Sequence, residues 1–217
     1  PSDTVQPILL RVDKEDPAAH RDAVAAAAVA CVLAFAHRNS DDAWLDWVRG
    51  RFTKTVRRAG PKPFAKHTAG APSGTVVIGK AEAAAFEPQR YADMPRALRS
   101  LQVSGTQLPA AEPAPAQPGA PLIVLNEHSA MSTGKAAAQA AHALLAWYLE
   151  LAPEQAAGFA ECPAALVTEL PGERFRELAR HPGNGPLIVD AGLTEIDPGS
   201  STAFVAAGEL RVPAAEA

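Results

Sequence analysis

Two short apolar runs, Pro7-Ile-Leu-Leu10 and Pro121-Leu-Ile-Val124, open two stretches of this chain that lie 114 residues apart. Each run leads through a polar loop into a long alanine-rich segment, Ala18 to Ala36 in one stretch and Thr133 to Leu149 in the other. Short aliphatic runs suit buried strands and alanine is the strongest helix former, so each unit reads as strand, loop, helix. Between them, Pro109 to Pro121 supplies repeated prolines and alanines with neither helical nor alternating pattern, the mark of a linker. The chain therefore divides into a first part over 1–108, a linker over 109–120 and a second part over 121–217. The paired openings suggest an ancestral duplication whose first copy has degenerated. The alternative is that two alanine-rich strand-helix units look alike through composition alone.

The second part continues with strand patterns at Ala165 to Leu170, Leu187 to Asp190 and Thr202 to Ala206, and a helix over Gly172 to His181. That order predicts an α/β fold, a small mixed β-sheet packed by helices. The first part is harder to read: Asp41 to Lys66 looks partly helical, Thr75 to Ile78 like a strand, and Pro95 to Leu101 like a helix.

Bulk properties exclude several classes. A hydrophobic fraction of 47% with 20% charged residues describes a globular chain, and the net charge of −4 neither requires nor forbids a nucleic-acid partner. The apolar stretch Ala23 to Ala36 is too short and too rich in alanine to span a bilayer, so it predicts a buried helix and no membrane partner. No charged-then-apolar leader follows Pro1, and a cytoplasmic location is expected. Cys31 and Cys162 show neither CxxC spacing nor a disulfide framework and read as two buried thiols.

The chemistry concentrates in two places. Met131-Ser-Thr-Gly-Lys135 joins a strand to a helix, with Ser132 or Thr133 as the natural N-cap. Lys135 then stands in the first turn, where unpaired amides and the positive end of the helix dipole would favour an oxyanion. Gln139 and His142 follow four and seven residues later, a stripe on one helix face at about 100° per residue. A P-loop would need glycine at Ser129 and a hydroxyl residue at Ala136, so nucleotide hydrolysis is disfavoured. The second place is Asp190 to Ser200, where a strand ends in glycine-bearing turns and Asp190 and Thr194 offer a carboxylate and a hydroxyl. Taken singly, these residues have ordinary readings: a solvated first-turn lysine, a surface or core histidine, and turn-capping Asp and Thr side chains. Only in combination do they point to a site.

Gly134-Lys-Ala-Ala-Ala-Gln-Ala-Ala-His-Ala143 and Asp190-Ala-Gly-Leu-Thr-Glu-Ile-Asp-Pro-Gly-Ser200 together resemble the paired signature of type II peptidyl-tRNA hydrolases, over residues 121 to about 208. The resemblance implies an esterase that cleaves the bond between a peptide and the terminal ribose of tRNA, with no metal or organic cofactor. It makes Lys135, Gln139, His142, Asp190 and Thr194 the catalytic residues. It also implies tRNA as partner and allows either a homodimer or an internal pseudo-dimer of the two halves. The chain departs from the family's usual pattern, which has a basic residue where Leu193 stands, a glutamine where Glu195 stands and an Arg-x-Asp type sequence where Asn126-Glu127-His128 stands.

In the first part, Arg21, Ala25 and Ala28 stand where Lys135, Gln139 and His142 stand in the second, and no Asp-Ala-Gly-x-Thr element precedes the linker. No second active site is expected there. The segment Trp47 to Ala81 contains no acid and carries Arg49, Arg51, Lys54, Arg57, Arg58, Lys62 and Lys66, a candidate tRNA-binding surface. Trp47, Phe52 and Phe64 are interleaved with these cations and suit either base stacking or the core. Three function classes follow: a peptidyl-tRNA hydrolase, a non-catalytic tRNA-binding relative, or a protein-interaction module of the same fold.

Overall fold

The computed structural model describes residues 4–39, 42–70, 72–112, 118–192 and 196–207. In the first half, strand β1 (Thr4–Arg11) leads into helix α1 (His20–Ala36), a short helix α2 (Asp42–Arg49) and strand β2 (Lys54–Ala59). Helix α3 (Pro61–Thr68), the hairpin β3 (Gly74–Ile78) and β4 (Ala81–Ala85), the two-residue strand β5 (Gln89–Arg90) and helix α4 (Arg96–Arg99) follow. In the second half, β6 (Leu122–Asn126) leads into α5 (Thr133–Leu149), α6 (Pro153–Glu161), β7 (Leu166–Leu170), α7 (Gly172–Ala179), β8 (Ile188–Val189) and β9 (Ser201–Ala206).

Each half forms a mixed sheet of one pattern. In the order β2-β1-β4-β3, β1 runs parallel to β2 and antiparallel to β4; in the order β7-β6-β9-β8, β6 runs parallel to β7 and antiparallel to β9. The outer strands β3 and β8 pair antiparallel with β4 and β9. Alternate residues of β1 show how a strand divides its side chains between two layers. Ile8 and Leu10 face the main core with α1, while Leu9 joins Ala59, Phe64, Met94 and Leu98 beneath α3 and α4. The second sheet does the same with Ile123 and Leu125 inward and Val124 beneath Phe175 of α7.

Helices α1 and α5 lie side by side between the two sheets. His20 touches Thr133 at the starts of both helices, Cys31 lies near Ala141, and Phe35 meets Tyr148 towards the ends, so the two helices point the same way. Every residue of α1 from Asp22 to Phe35 is buried. A helix apolar on all sides needs cover on all sides, and alanine lets neighbouring backbones approach closely. Each helix also touches the edge strand of the other half, α1 against β7 and α5 against β2. The second contact forms the wall of the cleft described below.

Several sequence expectations need correction. Asp41 to Lys66 is partly helical as expected, in α2 and the start of α3, but between these helices lies β2, a buried strand disguised by its basic residues. Strand β4, Ala-Glu-Ala-Ala-Ala, carries little strand propensity and is held by β1 and β3 on either side. Helix α6 adds to the expected elements, and Pro153 at its first position and Gln155, whose Oε1 accepts from the Ala152 amide at 3.2 Å, form its start signal. Cys31 is buried as expected, but Cys162 is exposed at the end of α6. Among the described residues, no helix is long and apolar enough to cross a membrane.

Candidate functional site

Ser132 caps α5, its Oγ accepting from the Lys135 amide at 3.3 Å. Thr133 instead turns its hydroxyl outward from the helix, accepting from the Leu108 amide at 3.0 Å and lying 2.9 Å from His20 Nδ1. The first turn is further covered by the chain before the linker, where the Gly134 amide donates to the Thr106 carbonyl at 3.4 Å. This corrects the expectation of open amides beside Lys135: those of Gly134 and Lys135 already have acceptors. The cation at this position is the Lys135 ammonium, with the Gly134 and Lys135 amides beneath it already paired.

The ammonium meets the carboxylate at the end of β8. Lys135 Nζ lies 2.6 Å from Asp190 Oδ2, with only 10% and 6% of the two side chains exposed. Gln139 Nε2, one turn further along α5, donates to the same oxygen at 2.7 Å. The other oxygen, Oδ1, accepts from the Gly192 amide at 2.7 Å. Asp190 is thus fixed by three donors, two from α5 and one from the loop that follows β8. Gln139 is fixed in turn, since its Oε1 accepts from the Thr202 hydroxyl of β9 at 2.7 Å. The Asp190 carboxylate accepts and so takes the NH₂, which leaves Oε1 to the Thr202 hydroxyl, itself also 3.2 Å from the Ile188 carbonyl.

The loop after Asp190 explains why this sequence bends here. Gly192 has φ +73, and a Cβ on it would sit 2.3 Å from Pro198 Cγ, so only glycine fits the turn. Thr194, with Leu193 and Glu195, lies outside the described residues. In the first half, the turn between the matching strands β3 and β4 is only Gly79-Lys80, so no counterpart of the Asp190 loop exists among the described residues. Arg21 there pairs with Glu169 at 3.9 Å, and Ala25 and Ala28 are buried in the core.

Lys135, Gln139 and His142 line one wall of a cleft of about 660 Å³. Asp190 and β8 form a second wall, and Arg51 with residues 53–56 of the first half a third. His142 sits at the far end of the stripe, its ring tilted by 40° against Phe52 at a centroid distance of 5.2 Å, with Nδ1 3.4 Å from Lys54 Nζ. Burial, with Lys54 and then Lys135 nearby, holds the imidazole well below its usual value and therefore neutral. Lys54 itself is buried, its Nζ donating to the Phe52 carbonyl at 2.9 Å beneath the faces of Phe52 and Trp47.

The basic segment does not form one surface. Arg57 is 1% exposed and spends its guanidinium on the carbonyls of Arg99 and Leu101 at 2.7 and 2.9 Å and on the Tyr91 hydroxyl, so it is structural and unavailable to phosphate. Arg58 is half-buried against Gln102. Arg49, Arg51, Lys62 and Lys66 are exposed, Arg51 alone of these four at the cleft. Trp47 and Phe64 belong to the core and are not available for base stacking. Two contributors differ from the sequence expectation: Thr202, which carries no signal of its own, and Lys54, which belongs to the cleft and not to an open basic surface. Among the described residues, no group of three or more His, Cys, Asp or Glu side chains is placed to hold a metal.

No family profile, curated protein or solved structure matches this chain, so its chemistry rests on the geometry just described.

Proposed function

We propose that the second half is a peptidyl-tRNA hydrolase of the type II kind, an esterase that frees tRNA from a stalled peptide. The observation that carries this reading is the convergence of Lys135, from the start of α5, with Asp190, from the end of β8, at 2.6 Å on the wall of an open cleft. In the proposed reaction, water attacks the ester carbonyl, the bond to the ribose oxygen breaks, and that oxygen leaves with a proton. Lys135 stabilises the negative charge that develops on the carbonyl oxygen. Asp190 holds the ammonium in place, and Gln139, anchored in turn by Thr202, holds Asp190. Thr194 belongs to the same proposal through the sequence signature.

The first half fits the role of a degenerate internal copy acting as a built-in partner. Support comes from the common strand order of the two sheets, the paired helices α1 and α5, and the short Gly79-Lys80 turn in place of the Asp190 loop. Such a partner makes a homodimer unnecessary.

A second reading, a non-catalytic tRNA binder of the same fold, is favoured by one observation: the Gly134 and Lys135 amides are already paired and cannot serve an oxyanion. Release of N-acetyl-aminoacyl-tRNA separates the two. The wild type should hydrolyse it and Lys135→Ala should lose at least about 100-fold in kcat, the usual size of losing an oxyanion partner. Full turnover by Lys135→Ala overturns the assignment, and tRNA binding without release by the wild type establishes the second reading.

A further inference from the structure

Lys54 is a cation in an unusual place. Its ammonium lies in the wall of the cleft, and among the described residues no carboxylate comes within ion-pair reach of it. Its neighbours are the Phe52 carbonyl, His142 Nδ1, two aromatic faces and the buried Cys31 thiol. Removing an ammonium from water without a counter-charge is costly, and carbonyl and π contacts offset this only in part. Burial lowers Lys54 to about 8, so it is still an ammonium at neutral pH. His142, held neutral, accepts from it through Nδ1 and keeps its own proton on Nε2.

The cleft as a whole is positive in a chain of net negative charge. Arg51, Lys54 and Lys135 line it, and Asp190 is the acid among its lining residues. Its rim is apolar: Val103, Leu187 and Val189 are 40%, 41% and 54% exposed, and all three border the opening. A positive hole with an apolar rim selects an anion that carries an uncharged body. Lys135 and His142 are seven residues apart on α5, about 10 Å along the helix, a span that one nucleoside with its flanking phosphate can bridge.

We propose that the Lys54 end of the cleft is a phosphate subsite, in which Lys54 and Arg51 of the first half hold the phosphate that precedes the terminal nucleoside of the RNA. The choice of phosphate rests on the esterase reading above; the positive pocket does not. The first half then contributes to substrate binding as well as support. Lys54 is a positioning residue: it fixes the nucleotide while Lys135 faces the ester.

The test uses the full chain and 5′-AMP as probe, by calorimetry at pH 7. The wild type should bind AMP more tightly than inorganic phosphate or N-acetylglycine. Lys54→Met, which keeps the volume and removes the charge, should weaken AMP at least tenfold, and Arg51→Gln, on the surface, about threefold. In the release assay, Lys54→Met should raise KM with kcat within a few-fold of wild type, unlike Lys135→Ala. Should Lys54→Met fail to fold by circular dichroism, Arg51→Gln and the AMP affinity of the wild type still decide. AMP binding that is absent, or unchanged in both variants, overturns the proposal, as does a preference for N-acetylglycine. Lys54-dependent AMP binding without ester release would keep the subsite and sink the esterase.

Discussion

Lys54 and Cys31 are neighbours across the junction of β2 and α1, and burial acts on them in opposite directions. It pulls the amine down from 10.5 to about 8 and pushes the thiol up from 9.0 to about 11. Between about pH 8 and 10.5 the unfolded chain keeps a Lys54 proton that the folded chain has released. The stability contributed by Lys54 is therefore present above pH 10.5 and lost as pH falls towards 8. Cys31 contributes stability below pH 9.0 that is lost as pH rises through about 11. Urea unfolding should show the wild type gaining stability relative to Lys54→Met from pH 8 to 10.5, by at most about 1.4 kcal/mol per pH unit. A pH-independent difference between the two proteins would contradict this account. At this scale the sequence revealed much of the site: a helical stripe and a strand-end acid identified Lys135, Gln139, His142 and Asp190. It was silent on Thr202 and misleading on Arg57, because a charge in a sequence does not say whether buried carbonyls have absorbed it.

Among the elements, α1 is held most tightly. Strand β3 crosses it at Gly74, where an added Cβ would come within 2.6 Å of the Ala30 carbonyl oxygen and 2.8 Å of the Ala34 nitrogen. Both obstacles are backbone, so neither can swing aside. Gly74→Ala should therefore cost about 2–3 kcal/mol, in the range of overpacked cores, and lower the melting temperature by several degrees. An unchanged melting temperature would show that β3 can lift from the helix at no cost. Helices α1 and α5 were legible because alanine runs have one good local solution. Strands β2 and β4 were not, since Lys-Thr-Val-Arg-Arg-Ala and Ala-Glu-Ala-Ala-Ala become strands only through the neighbours that pair with them.

At the scale of the whole molecule, the paired openings of the sequence announced two similar units but not their mutual arrangement. That depends on which helix faces remain uncovered by their own sheet, a tertiary property. Because α1 and α5 cover each other, and each touches the other half's edge strand, neither half has a complete core of its own. Residues 1–108 and 121–217 produced separately should each lack a cooperative thermal transition, and mixing or co-expression should restore one. Two independent, sharp transitions would refute a common core.

The same-way pairing of α1 and α5 also bears on synthesis. The start of α5 follows that of α1 by 113 residues, which a ribosome adds in roughly 6–23 s at ordinary elongation rates. Throughout that interval one flank of a helix made mostly of alanine and valine has nothing to rest on. The nascent chain therefore passes through a sticky, half-clad stage, and its yield in the cell should depend on chaperone capacity more than the stability of the finished protein would indicate.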